Sequence, residues 1–163
     1  MSRKVVKLFF ILIGFSLFVT IYSRTSESII MPVRNATRNS YDQNAFGAPR
    51  VGHTHKGVDI FARKGTPVLS ATSGIVVYTG VLSLGGNVVV VLSPTLKSHY
   101  YAHLNEIQAT KLQFVASGEQ IGTVGKTGNA KNTPAHLHYS ISYFSPFLTY
   151  INPVPLLNNY FDR

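Results

Sequence analysis

The sequence predicts an all-β domain, a compact antiparallel sheet or sandwich, preceded by one N-terminal membrane anchor helix. Three observations carry this. From Phe46 onward, short apolar runs alternate with Gly, Pro, Asn and Ser at the spacing of strands and turns. No segment after Tyr22 keeps a helical period, apart from a turn near 104–112. Before that, Arg3, Lys4 and Lys7 stand in front of an apolar run from Leu8 to Tyr22. At 163 residues, 45% of them hydrophobic, the chain has room for one core plus an address.

The address comes first. The run 8–22 is interrupted only by Gly14, Ser16 and Thr20, and a helix apolar on all faces behind three cations suits a bilayer better than a soluble core. A full span takes about 20 apolar residues, which this run reaches when Val5, Val6 and the Lys7 stem are counted. Residues 21–24, Ile-Tyr-Ser-Arg, lack the small-x-small pattern of a cleavage site, so residues 1–23 are predicted to be an uncleaved anchor. Residues 24–45 read as a polar spacer with a first brief strand around Ile29–Val33. The domain occupies 46–157, with strands at Val58–Phe61, Pro67–Ser70, Gly74–Thr79, Asn87–Leu92, His99–His103, Gln120–Val124 and His136–Ser142. Gly85-Gly86 reads as a hairpin turn and Gly125–Asn132 as a longer loop before the last strong strand. Asn152-Pro153 and Pro155 close the domain, and 158–163 is a tail.

The chain has no cysteine, which excludes disulfides, thiolate metal sites and a lipidated cysteine; any metal falls to His, Asp or Glu. Of the net charge of +9, three units precede Arg24 and six lie from Arg24 onward, scattered rather than in a run. That excess fits an anionic polymer and fits simple solubility equally well. With no recognition-helix or RNP-like pattern, nucleic acid is not a predicted partner.

All six histidines lie between positions 53 and 138. Asp59 sits inside Gly57-Val58-Asp59-Ile60-Phe61, an apolar strand where an unpaired charge costs several kcal/mol, so it calls for a cation. His55, four residues earlier, is placed to share a metal with it across the Lys56-Gly57 turn. His136-Leu137-His138 sends two imidazoles to one face of a strand and Leu137 to the core. His103, at the end of Tyr100-Tyr101-Ala102-His103-Leu104, is a further neighbour. A lone histidine is more often structural than catalytic. Together, two histidines and a carboxylate make a three-ligand zinc site with an open position, the catalytic form. Such an ion polarises a carbonyl and lowers the pKa of bound water from about 15.7 towards about 7. Peptide hydrolysis also needs a proton shuttle and an oxyanion stabiliser, roles open to non-ligand histidines. His53 and His99 read as surface or supporting groups, and Glu106 and Glu119 as solvated loop residues. The H-E-x-x-H helix motif is absent, so the site must be built on a sheet.

The set His55-Lys56-Gly57-Val58-Asp59-Ile60, Tyr101-Ala102-His103-Leu104 and His136-Leu137-His138-Tyr139 resembles the lysostaphin-like, or LytM-type, zinc endopeptidases of bacterial cell walls. Gly65-Thr66-Pro67-Val68, Gly74-Ile75-Val76, Gly118-Glu119-Gln120-Ile121-Gly122 and Gly125-Lys126-Thr127-Gly128 fall in that family's order between them, over about 46–157. The resemblance implies His55, Asp59 and His138 as ligands of one zinc ion and His103 and His136 as catalytic histidines. The choice of His138 over His136 comes from the resemblance, since strand geometry does not make it. It also implies a β-sheet groove with the metal on its floor, and hydrolysis of peptidoglycan peptide cross-links, either stem-peptide or polyglycine. With the anchor, this places the protein in the cell envelope, held in the cytoplasmic membrane with the domain outside the cytoplasm. The competing reading is a zinc-binding but non-catalytic module that binds or activates other wall hydrolases. A histidine phosphocarrier is disfavoured by export, and a purely structural domain leaves Asp59 unexplained.

Overall fold

The computed structural model of the chain describes residues 5, 6, 8–11, 13, 27–50, 52–143 and 149–163. Most of the expected anchor at 1–23 lies outside the described residues. Those that are described are helical, with Val5, Leu8, Phe9, Phe10, Ile11 and Ile13 all exposed. Among the described residues no helix is long and apolar enough to cross a membrane.

The domain is mostly antiparallel β, as its punctuated apolar runs predict. A large sheet of seven strands comprises β3 (Val58–Phe61), β5 (Gly74–Leu82), β6 (Gly86–Leu92), β7 (Lys97–Leu104), β9 (Phe114–Val115), β11 (His136–Tyr143) and β12 (Tyr150–Ile151). Its order is β12-β11-β7-β6-β5-β9, and β3 pairs with β11 on the edge that β12 shares. A three-stranded sheet runs β4-β10-β8, from Pro67–Leu69, Gln120–Thr123 and Glu106–Ile107. A short hairpin pairs β1 (Pro49–Arg50) with β2 (His53–Thr54).

The two larger sheets share one core. Val58, Ile60, Val76, Val89, Val91, Tyr101, Leu104, Leu137, Tyr139 and Ile141 come from the seven-stranded sheet, and Val68 and Ile121 from the three-stranded one. Along β11 the period of two is complete: Leu137, Tyr139 and Ile141 are fully buried while His136 and His138 take the opposite face. That alternation fixes which face becomes the groove.

Two stretches are more integrated than their sequence suggests. The segment expected to be a spacer runs beside β4 and makes a single bridge, Val33 to Val68, rather than a strand. Ile30 N–H donates to Ala71 O and Leu69 N–H to Pro32 O, while Ile29, Met31 and Val33 enter the core. Its polar letters obscure this, because every second residue is the one that packs. Most of the expected tail, 158–161, belongs to helix α1 (Val154–Phe161). Asn152 Oδ1 accepts from Val154 N–H, prolines open the first turn, and Val154 and Leu157 are buried.

Candidate metal centre and its groove

The register of β3 on β11 places Asp59 directly opposite His138, with His136 opposite Phe61. His55 arrives from the turn between β2 and β3. Its backbone is fixed by Gly47 N–H donating to His55 O at 2.8 Å and His55 N–H donating to Ala48 O at 2.9 Å. The turn closes through Gly57, where a Cβ would collide with Tyr139 O and stand 2.9 Å from the His138 ring. A glycine is therefore what lets the His55 turn lie against β11.

His103 reaches the groove by a different device. Regular alternation along β7 would send Tyr100 and Ala102 to the groove and Tyr101 and His103 to the core. Pairing with β6 slips between Asn87 and Val89, and His103 adopts φ = +63°, in the left-handed region. The bulge turns His103 back, so that consecutive residues Ala102 and His103 both line the groove and Leu104 regains the core. A non-glycine residue held there costs about 1–2 kcal/mol, a local strain typical of functional sites.

His55 Nε2, His138 Nδ1 and Asp59 Oδ1 converge, at 3.1 Å between the two nitrogens, 3.2 Å from His55 to Asp59 and 2.9 Å from His138 to Asp59. His55 Nδ1–H donates to Ala45 O at 2.9 Å, so in the neutral ring Nε2 carries a lone pair into this triangle. Acceptor atoms this close repel unless a cation sits among them. A tetrahedral zinc ion bound at about 2.0–2.2 Å separates its ligand atoms by roughly 3.3 Å, close to all three edges. These three residues are the one potential metal-binding group among the described residues, and they fit the ion.

Burial by itself would raise the Asp59 carboxyl, but its imidazole neighbours, His138 first and then His55, outweigh it and hold the pKa far below the usual carboxylate range. Asp59 Oδ2 accepts from Arg50 Nη2 at 3.0 Å. The other two imidazoles stand beside the triangle. His136 Nδ1–H donates to Pro134 O at 2.8 Å and His103 Nδ1–H to Thr127 O at 2.9 Å, so each presents Nε2 as its free nitrogen. His136 Nε2 is 3.8 Å from Asp59 Oδ1, and the His103 and His136 rings meet edge to face at 5.0 Å. The pKa of His103 is lowered to about 4, first by burial and then by the neighbouring His136 and His138, which keeps it an unprotonated base at neutral pH.

The groove holds about 280 Å³ and is lined by these residues together with Arg50, His53, Leu84, Gly85, Tyr100 and the loop residues Asn129 and Thr133. Its far wall is pinned where the Gly85-Gly86 turn meets the loop at 125–132: Asn129 N–H donates to Leu84 O, Asn87 N–H to Thr127 Oγ1, and Thr127 Oγ1–H to Leu104 O. Of the remaining histidines, His53 is exposed at the groove. His99 is fully buried on the core face, its Nδ1 2.7 Å from Tyr139 Oη and its Nε2 3.3 Å from Glu27. Arg50 and Tyr100 had no spacing relation to the histidines that would have marked them; the β1–β2 hairpin and the β7 register bring them in.

Residues 53–153 match Peptidase family M23. The peptidoglycan DD-endopeptidase ShyA of Vibrio cholerae is 38% identical over 87 residues, 53% of this chain and 20% of ShyA. The murein hydrolase activator NlpD of Escherichia coli is 33% identical over 99 residues, 60% of this chain and 25% of NlpD. The chain thus spans a quarter or less of the length of these curated relatives. The crystallised catalytic domain of the antimicrobial peptidase lysostaphin from Staphylococcus simulans superposes with a TM-score of 0.65 at 31% identity, covering 74% of this chain and 94% of that domain.

Proposed function

The chain belongs to peptidase family M23, and from that premise we propose that it is a zinc-dependent endopeptidase hydrolysing peptide cross-links of bacterial peptidoglycan. The observation that carries this reading is the convergence of His55, Asp59 and His138 with two further imidazoles, His103 and His136, all in one groove. A non-catalytic activator has no need of the second pair, so their presence supports catalysis over regulation.

In this reading His55, Asp59 and His138 hold the zinc, which supplies a Lewis acid to polarise the scissile carbonyl and acidify water. His103 Nε2, kept unprotonated by burial, takes the proton of the attacking water and returns it to the leaving amine. His136, its ring fixed through Nδ1 to Pro134 O beside the metal triangle, is the imidazole placed to stabilise the oxygen that gains charge. Arg50 and Ala45 hold Asp59 and His55 in place from behind. The cation-flanked apolar run at 8–22 supports anchorage in the cytoplasmic membrane with the domain facing the wall.

Two substitutions test the division of labour. His138→Ala is expected to lose zinc and peptidoglycan hydrolysis together. His103→Ala is expected to keep zinc and lose about 10²–10⁴-fold in rate. Hydrolysis by His138→Ala, or zinc loss in His103→Ala, contradicts these roles.

A further inference from the structure

The metal site leaves one groove cation with most of its donors unspent. Arg50 ends β1, is exposed, and gives one Nη2 hydrogen to Asp59 Oδ2. A guanidinium has five N–H donors in a planar fork, so four remain for a ligand. Asp59 turns Oδ1 to the imidazoles and Oδ2 to Arg50, which places the guanidinium one carboxylate width from the convergence of lone pairs. Among the described residues lining the groove, Asp59 is the only carboxylate, and it is already engaged. The groove therefore offers a cation with spare donors, and no acidic side chain of its own to meet them. Such a cleft attracts anions, and the guanidinium fork matches a carboxylate.

We propose that Arg50 is a specificity-determining residue: it binds a carboxylate carried by the peptide beside the scissile bond, which makes acidic cross-links, and not polyglycine bridges, the substrate class. The inference rests on the peptidase reading above and adds the chemistry of what enters the groove. Arg50 also steadies Asp59, and a purely supporting role would show itself in zinc affinity alone.

The test uses the full-length, zinc-loaded protein with matched cross-linked peptides, one bearing a free carboxylate next to the scissile amide and the other its carboxamide, together with a pentaglycine peptide. Binding of the corresponding single-strand peptides, which hold no cross-link to cut, is followed by fluorescence anisotropy. The wild type is expected to prefer the carboxylate form by about tenfold or more, chiefly in KM and in peptide affinity, and to leave pentaglycine uncut. With zinc kept saturating, so that any loss of support to Asp59 does not empty the site, Arg50→Gln erases that preference, and Arg50→Lys restores part of it. Equal treatment of the two forms by the wild type overturns the inference, as does a preference that survives in Arg50→Gln or losses that follow zinc affinity. If no peptide is cut, the peptidase reading fails, and the binding preference still decides the role of Arg50.

Discussion

One residue shows how backbone geometry serves this site. His103 sits at φ = +63° so that a strand can point two consecutive side chains into the groove. Comparing His103→Ala with His103→Gly isolates the strain, because neither keeps the imidazole. The glycine variant is expected to be the more stable by about 1 kcal/mol in urea unfolding, and equal stabilities would mean that the position is relaxed. The sequence singled out His55, Asp59, His103, His136 and His138 through spacing and through the improbability of a lone carboxylate in an apolar strand. It did not separate His136 from His138, since a period of two treats them alike. In the structure it is His138, across the ladder from Asp59, that closes the triangle at 2.9 Å, while His136 stands at 3.8 Å.

Among the elements, the strands were legible because each is a short apolar run bounded by Gly, Pro or Asn, and the seven expected strands appear with ends shifted by three residues at most. What the sequence did not show was pairing. Nothing local to Val58–Phe61 says that it lies against His136–Tyr139, yet that register assembles the centre. The hinge of the arrangement is Gly57, pressed between Tyr139 O and the His138 ring. Gly57→Ala is expected to destabilise the domain by about 1–3 kcal/mol and to weaken zinc binding beyond what a remote substitution of equal cost does. Unchanged zinc affinity, measured by competition with a chelator, would show that the turn can move away freely. Helix α1 escaped notice because eight residues with two buried positions carry too little period to read.

At the scale of the whole molecule, one polar network ties the chain's beginning to its sheet. The Glu27 carboxylate, almost wholly buried, accepts from the hydroxyls of Thr72 at 2.8 Å and Thr95 at 2.7 Å, and lies 3.3 Å from His99 and 3.8 Å from Lys97. Burial pushes its pKa up, but His99 and the two threonines prevail and lower it to about 2. Burial also lowers the pKa of Lys97 in spite of Glu27, so the net stabilisation comes mainly from His99 and the hydroxyls. A carboxylate with a depressed folded-state pKa stabilises the fold above its unfolded value near 4.5, and that contribution disappears as the pH falls through about 2. Urea unfolding from pH 6 down to 2 should therefore show a pH-dependent loss on the order of 3 kcal/mol in the wild type that Glu27→Gln lacks. Parallel curves for the two proteins would show that Glu27 contributes nothing to the acid sensitivity of the fold.

Whether the assembled groove is a working zinc peptidase is tested most directly by incubating a soluble chain beginning at Arg24 with purified peptidoglycan, with and without a zinc chelator. Mass spectrometry then identifies the released fragments. A zinc peptidase frees peptides from cross-linked dimers, and that release is abolished by the chelator and restored by zinc. Zinc-loaded protein that releases nothing from several wall types would contradict the catalytic reading and assign the groove to binding or activating other hydrolases.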